Sequence, residues 1–427
     1  MADVLPPVDD RYARSPAYRW YALGVLALVY MLHAVDRSMP SILVEPVRHE
    51  FGLSDGELGL YSGVAYGVAF CLFVLPVGHL SDRVSRKSFL ALLLFLWSLF
   101  TVLGGFVKSY SQLVLTRFGV GAAESGGSTT IMPMLSDIVP EHQRASIIGF
   151  IYLFANLGGV IAVAGGGYIA EHYGWRTALL FAGLPGVLCA ALLYLTVDEP
   201  RRGAMEAEGT IQPSASSFLA VLRYLVANPA LILLIMGAAL MGLVSISLGA
   251  WATSFFIRVH DFSLTEVGLL IGLVGGAGGM LSPPLYGWIG DRMARHSVAS
   301  QLQLVSYSAI LAFAAGQVML FVPIAAVAVA CFAIGEFLRS GYPPPAYSVL
   351  MAYTPVEMRG TMTSLLQFAT LLIGFGLGPL AVGLLSDFFG GGMMIRYALA
   401  SALLVLIPIF VLIHFSARML MRRQATG

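Results

Sequence analysis

Long stretches without a single charged side chain dominate this chain. Residues 58–81, 88–107, 145–170, 177–197, 224–257, 267–290, 361–386 and 397–417 contain no Asp, Glu, Lys or Arg. A bilayer core of about 30 Å is crossed by about 20 apolar residues in a helix. The run 297–335 is too long for one crossing and contains Pro323, so it reads as two. Residues 20–40 and 113–136 have the right length but carry internal charges, which gives twelve spans in all. The fold class that follows is an all-α integral membrane protein of twelve transmembrane helices. Charged residues make up only 11% of the chain, against about 25% in soluble domains. That composition excludes a disordered chain. With a net charge of +1 and no basic patch, a nucleic-acid partner is not expected. Cys71, Cys189 and Cys331 all lie in apolar runs and make no disulfide framework. The first apolar run lacks a small-residue cleavage site and holds His33, Asp36 and Arg37, so it reads as a retained helix.

Twelve spans put both termini on one side. The terminus-side segments hold sixteen Lys and Arg residues and the opposite loops five. The positive-inside rule therefore predicts cytoplasmic termini. The polar stretch 198–224 divides the chain, and the halves echo each other. Gly78-His-Leu-Ser-Asp82-Arg83 after the second span recurs as Gly287-Trp-Ile-Gly-Asp291-Arg292 after the eighth. Pro140-Glu-His-Gln-Arg144 after the fourth recurs as Pro355-Val-Glu-Met-Arg359 after the tenth. Two six-helix pseudo-symmetric bundles around a midplane site are expected. The organisation is then a tail 1–17, a first bundle 18–197, a linker 198–224, a second bundle 225–418 and a tail 419–427. Asp82, Arg83, Asp137, Arg144, Asp291 and Arg292 are assigned to gating or structure, because an acid and arginines between spans can latch onto a neighbouring helix end. Arginine there also satisfies the positive-inside rule alone.

The paired Asp-Arg loops, the two six-span halves and Arg117-Phe-Gly-Val-Gly121 resemble the major facilitator superfamily. Within it, Asp36-Arg-Ser-Met-Pro-Ser-Ile-Leu-Val-Glu45-Pro46, Leu53-Ser-Asp-Gly-Glu-Leu-Gly59, Gly119-Val-Gly-Ala-Ala-Glu124-Ser125, Trp251-Ala-Thr-Ser-Phe-Phe-Ile-Arg258 and Gly374-Phe-Gly-Leu-Gly378-Pro379 resemble the Spinster-like branch. The run Tyr342-Pro343-Pro344-Pro345 departs from that pattern.

Charges inside spans are expensive and mark function. His33, Asp36 and Arg37 are spaced i, i+3, i+4, and Arg117, Gly121, Glu124 and Ser128 likewise share a face. Counting about 1.5 Å of rise per residue brings Asp36 and Glu124 to the middle of the bundle. Burial favours the protonated form of a carboxyl, so the residues suggest a proton switch acting on Arg37. The bland alternative is a fixed ion-pair cluster joining two helices. The resemblance implies proton coupling and substrate handling by Asp36, Glu124 and Arg37. Arg117 is expected to bond backbone carbonyls of the first span in a structural role. Substrate contact is expected from His33, Arg37, Ser125, Trp251, Glu336, Arg339 and Tyr342, with His33 read as a hydrogen-bonding cavity residue rather than a proton carrier. Glu336 and Arg339 are also spaced to neutralise each other, and the prolines after Tyr342 can break their helix.

No phosphate-binding glycine loop, metal-ligand spacing or nucleophile constellation is present in the sequence. The chain is expected to be no enzyme and to need neither metal nor cofactor. The expectation is a monomeric secondary active transporter working by alternating access in a bacterial inner membrane, among membrane lipids and coupled to protons. The resemblance implies an amphiphilic, lipid-like substrate (a lysophospholipid or sphingoid-type lipid) or another hydrophobic compound. Two alternatives stay open: a proton-coupled symporter of a small organic anion, such as an aromatic or sugar acid, and a ligand sensor without flux.

Overall fold

A computed structural model describes residues 12, 15–81, 83–201 and 217–426. Among the described residues it is helical throughout, and eleven helices are long and apolar enough to cross a membrane. They are α1 (Pro16–Phe51), α2 (Asp55–Ser81), α3 (Arg86–Gly104), α5 (Ser146–Tyr173), α6 (Trp175–Thr196), α7 (Pro229–His260), α8 (Leu264–Ala294), α9 (Val298–Phe321), α10 (Ala325–Ala352), α11 (Val356–Phe388) and α12 (Gly392–Arg422). The twelfth, α4, is interrupted: it runs Tyr110–Glu124, turns at Ser125 and Gly126, and resumes as Gly127–Ile138. The chain is thus an integral membrane protein. The span 297–335 divides as expected, between Phe321 and Ala325. Part of the linker forms a short helix, Phe218–Val226.

The repeat runs deeper than the loop motifs. Ser54 and Glu57 form a capping box at the start of α2, and Ser263 and Glu266 form the same box at the start of α8. Both pairs keep the register that relates Gly78 to Gly287. The same register carries Gly59, Gly63 and Gly67 of α2 onto Gly268, Gly272 and Gly276 of α8. Spaced by four, each triplet forms a stripe along one face of its helix and admits a partner backbone from the other half. A Cβ on Gly59 would lie 2.5 Å from the Pro379 carbonyl oxygen, and one on Gly63 2.7 Å from that of Phe375, both on α11. A Cβ on Gly268 would lie 2.6 Å from the Val163 carbonyl oxygen of α5. The two halves therefore meet along α2–α11 and α5–α8.

These seams are tight only at the end of the molecule away from the termini. There, Asp387 at the end of α11 accepts from the Asp55 and Gly56 N–H groups, at 2.9 and 2.7 Å. Glu171 at the end of α5 accepts from Thr265 N–H at 2.7 Å. Each carboxylate thus caps the positive N-terminus of a helix in the other half. Arg258 of α7 adds bonds to Glu45 of α1 and both carboxylate oxygens of Asp55. Its side chain is 6% exposed and that of Asp55 is fully buried, so these charges are desolvated and depend on one another. At the terminus side, Arg83, Asp291 and Arg292 are exposed. Arg292 lies over the Trp288 ring of its own helix, at 3.2 Å. Asp82 lies outside the described residues. Asp137 pairs with Arg86 at 2.6 Å within the first half. Arg144 donates to the Ser136 and Val139 carbonyls, closing the end of α4. The described residues show no ion pair between halves at this end, and the molecule is open there.

Candidate functional site

Between the halves lies a cavity of about 520 Å³. It is bounded by α1, α2, α5, α7, α8, α10 and α11. Its polar lining is sparse: His33, Arg37, Ser38 and Ser41 from α1, Ser62 from α2, Asn156 from α5, Ser245 from α7 and Glu336 from α10. Tyr30, Tyr152, Ile246, Phe332, Phe375 and Pro379 supply aromatic and apolar surface. Glycines recur in the wall: Gly159, Gly249, Gly272, Gly275 and Gly276 line the same space.

Arg37 is the cavity's cation. Among the described residues it forms no ion pair; its guanidinium lies 4.5 Å from the Phe375 ring centroid, across the seam between halves. Glu336 is the cavity's carboxylate and is already engaged. It accepts from Arg339 at 2.8 Å and from Ser340 at 2.9 Å. Two smaller, separate spaces lie beside the cavity. The first shares Arg37 and Phe375 with it and adds Phe70 and Leu371. The second, about 410 Å³ and mostly apolar, shares Phe70 and Leu371 and separates α2 from α11 toward the open end, past Leu75 and Phe368. The seam sealed by the Gly59–Gly67 stripe thus parts below Phe70.

Behind the wall sits the titratable cluster. Glu124 is fully buried at the last turn before the α4 break. Its Oε2 accepts from the Tyr66 hydroxyl at 2.7 Å and lies 3.6 Å from His33 Nε2, while Oε1 has no partner. Asp36 is 2% exposed and turns away from the cavity. It borders a separate void the size of one water molecule, with Tyr61, Thr101, Thr116 and Arg117, and its Oδ1 is unpartnered. Arg117 donates to the Asp36 carbonyl at 3.1 Å and the Arg37 carbonyl at 3.3 Å, and its guanidinium lies over the Tyr66 ring. That is the backbone clamp read from the sequence.

The α4 interruption recurs in α10. Its first segment ends at Ser340, Gly341 follows, and the prolines Pro343 and Pro344 open the second segment. Proline fits the first turn because no N–H is needed there. Ser125-Gly126 and Ser340-Gly341 share the register that relates Pro140 to Pro355, so Glu124 and Arg339 are repeat equivalents.

Of the residues expected to touch substrate, His33, Arg37 and Glu336 line the cavity. Ser125, Trp251, Arg339 and Tyr342 do not. Ser125 is fully buried and bonds the Ala122 carbonyl of its own turn. Trp251 is fully buried and donates to the Pro379 carbonyl at 2.9 Å, holding α7 against α11. Arg339 is 3% exposed and points to Glu336. Tyr342 heads the second α10 segment. Among the described residues Arg37 forms no ion pair with Asp36 or Glu124; Asp36 and Arg37 border different spaces. Sequence reasoning assigned no role to Glu45, Asp55, Arg258 and Asp387, which clasp the closed end. The signals available were the Ser54 and Glu57 capping box and the charge near the end of α7.

Residues 26–305 match the family model of the Major Facilitator Superfamily. An MFS-type efflux pump of Mycolicibacterium smegmatis is 30% identical over 93% of this chain and 91% of its own length. Human protein spinster homolog 1 is 28% identical over 87% of this chain and 74% of its own length. Two solved structures of a bacterial homologue of the human lysosomal transporter Spinster superpose with this one. The inward-facing, unoccupied form gives a TM-score of 0.87 over 96% of this chain and 98% of its own, at 24% identity, a likeness of fold. The inward-facing, occupied form gives 0.80 over 97% and 98%, at 25% identity.

Proposed function

The chain belongs to the major facilitator superfamily and is a Spinster-like transporter rather than an enzyme; on that premise we propose that it moves an amphiphilic, lipid-like substrate by proton-coupled alternating access. The observation that carries this reading is the composition of the cavity. One unpaired guanidinium, Arg37, faces a space otherwise lined by His33, the engaged Glu336 and aromatic, apolar and small polar groups, and a separate, mostly apolar space lies nearby between α2 and α11. An anionic or zwitterionic head binds Arg37, which suits a phosphate or carboxylate equally. A cationic part of the head meets Glu336. A hydrocarbon tail occupies the aromatic surface and the lateral space.

Coupling rests on Glu124 and Asp36. Both are buried with one carboxylate oxygen unpartnered, and an ionised carboxylate in that setting lacks the partners that would stabilise its charge. Protonation removes that cost and changes the balance between the two conformations. The bundles 18–197 and 225–418 rock about the site. Positive-inside counting supports cytoplasmic termini in a bacterial plasma membrane, with the cavity open to the cytoplasm and the clasp of Arg258, Glu45 and Asp55 closing the outer side.

The test is uptake of labelled lysophosphatidylcholine into proteoliposomes, with and without an imposed pH gradient. Accumulation that requires the gradient and vanishes with a protonophore is expected. Flux indifferent to the gradient would make this a facilitator. Uptake no greater than in empty vesicles would favour the second reading, a small organic anion held by Arg37 alone.

A further inference from the structure

The geometry points to His33 as the proton relay between the central cavity and Glu124. The inference rests on the coupling reading above and goes beyond it by naming the group through which the buried acid exchanges its proton.

Glu124 has no surface of its own: it is fully buried and does not line the cavity. Two side chains reach its Oε2, Tyr66 and His33. Tyr66 is 1% exposed, borders only the small space beside Arg37 and Phe375 and not the main cavity, and already donates its only proton to Glu124. His33 lines the cavity, is 8% exposed, and presents Nε2 to Glu124 at 3.6 Å. Of the two described side chains that reach Glu124, His33 alone lines the main cavity. Its seat is built. Tyr30 stacks on the ring at 5.8 Å, Trp97 meets it edge-on at 5.9 Å, and a Cβ on Gly127 would come within 3.3 Å of the His33 ring. The break in α4 therefore does two things: it ends the helix beside Glu124, and it places a glycine where the imidazole must fit. The charged and titratable groups around His33 are Tyr30, Asp36 and Arg37 on α1, Tyr66 on α2, Arg117 and Glu124 on α4, and Tyr152 on α5, edge-on to Tyr30.

The step balances within these groups. A proton from cavity water adds to Nδ1 of the neutral imidazole. The Nε2 proton passes to Glu124 Oε2, the carboxylate becomes a carboxyl, and the ring is left neutral with its proton on Nδ1. When Glu124 gives the proton up, the path runs in reverse: Nε2 accepts it from the carboxyl, and the resulting imidazolium releases the Nδ1 proton to cavity water, which restores the ring. Imidazole suits the task because both nitrogens exchange protons near neutral pH. Arg37, one turn away in the same wall, cannot lose its proton. An anionic head group on Arg37 thus lies next to the relay, which links substrate arrival to proton passage.

The experiment follows the carboxyl C=O stretch of full-length protein in nanodiscs by time-resolved infrared spectroscopy after a pH jump. The Glu124 band is assigned by its loss in Glu124→Gln. In His33→Asn the same band should appear with unchanged final amplitude but about 100-fold more slowly, the usual scale for a positioned proton-transfer group. His33→Phe, which keeps the aromatic packing, should match it. In His33→Ala, added imidazole should restore the rate. Wild-type kinetics in folded His33→Asn and His33→Phe would overturn the relay and leave the coupling reading intact. A protein in which Glu124→Gln removes no band at any pH would overturn both.

Discussion

Two equivalent places in the repeat have been put to different uses. Both α4 and α10 break at a Ser-Gly pair, Ser125-Gly126 and Ser340-Gly341. The residue before the break is Glu124 in the first half and Arg339 in the second. Arg339 is neutralised one turn back by Glu336, and Ser340 takes the second Glu336 oxygen. At the position equivalent to Glu336 the first half has Gly121, so Glu124 has no intrahelical partner and turns to Tyr66 of α2 and His33 of α1. A charge satisfied within its own turn does not depend on how other helices sit. A charge that depends on two other helices, with one oxygen unpartnered, is sensitive to its protonation state and to how those helices sit. The repeat thus fixes where helices open, and a single pairing residue decides whether the opening anchors or switches.

Removing the switch should give the largest effect. Glu124→Gln is expected to abolish gradient-driven accumulation while gradient-free exchange continues; undiminished uphill uptake in that variant would break the comparison. The anchor should respond in stability instead. Glu336→Gln leaves the buried Arg339 charge unpaired, at a cost of about 3–5 kcal/mol, readable as a lowered thermal midpoint. Glu336→Gln with Arg339→Met should recover most of that loss, since no lone charge remains. If Glu336→Gln alone is neutral, the pair is not the self-contained unit described. Arg37→Ala should raise the half-saturating concentration of an anionic-headed substrate roughly 10- to 100-fold, the worth of a charged hydrogen bond. Arg37→Lys should fall between. Trp251→Phe should do least: about 1 kcal/mol of stability for the lost bond to Pro379, with unchanged substrate affinity. A large affinity loss there would restore Trp251 to the site.

Much of this was legible beforehand because membranes impose simple rules. Uncharged runs of the right length marked nearly every span, and Pro323 marked the division of 297–335. The echoes of Gly78 at Gly287 and of Pro140 at Pro355 located the repeat, although the capping boxes and glycine stripes in the same register emerged only once helix contacts were known. What spacing could not decide was direction. His33, Asp36 and Arg37 fall within one turn of helix, yet about 100° of rotation separates Asp36 from Arg37 beside it. That is enough to turn His33 and Arg37 into the cavity and Asp36 into a closed void against Arg117. Trp251 and Ser125 lie outside the cavity wall for a related reason: an aromatic or hydroxyl group in a span serves packing and backbone bonding as readily as substrate. The clasp of Arg258 with Glu45 and Asp55 joins side chains of α1, α2 and α7 that are far apart in the chain, and no local pattern announces such a pairing.

Simultaneous recording of labelled lysophosphatidylcholine uptake and internal pH in proteoliposomes tests the central claim most directly. Proton entry in a fixed ratio to substrate, lost from Glu124→Gln and retained by Trp251→Phe, is the predicted result. Substrate uptake with no accompanying proton movement in the wild-type protein would contradict it.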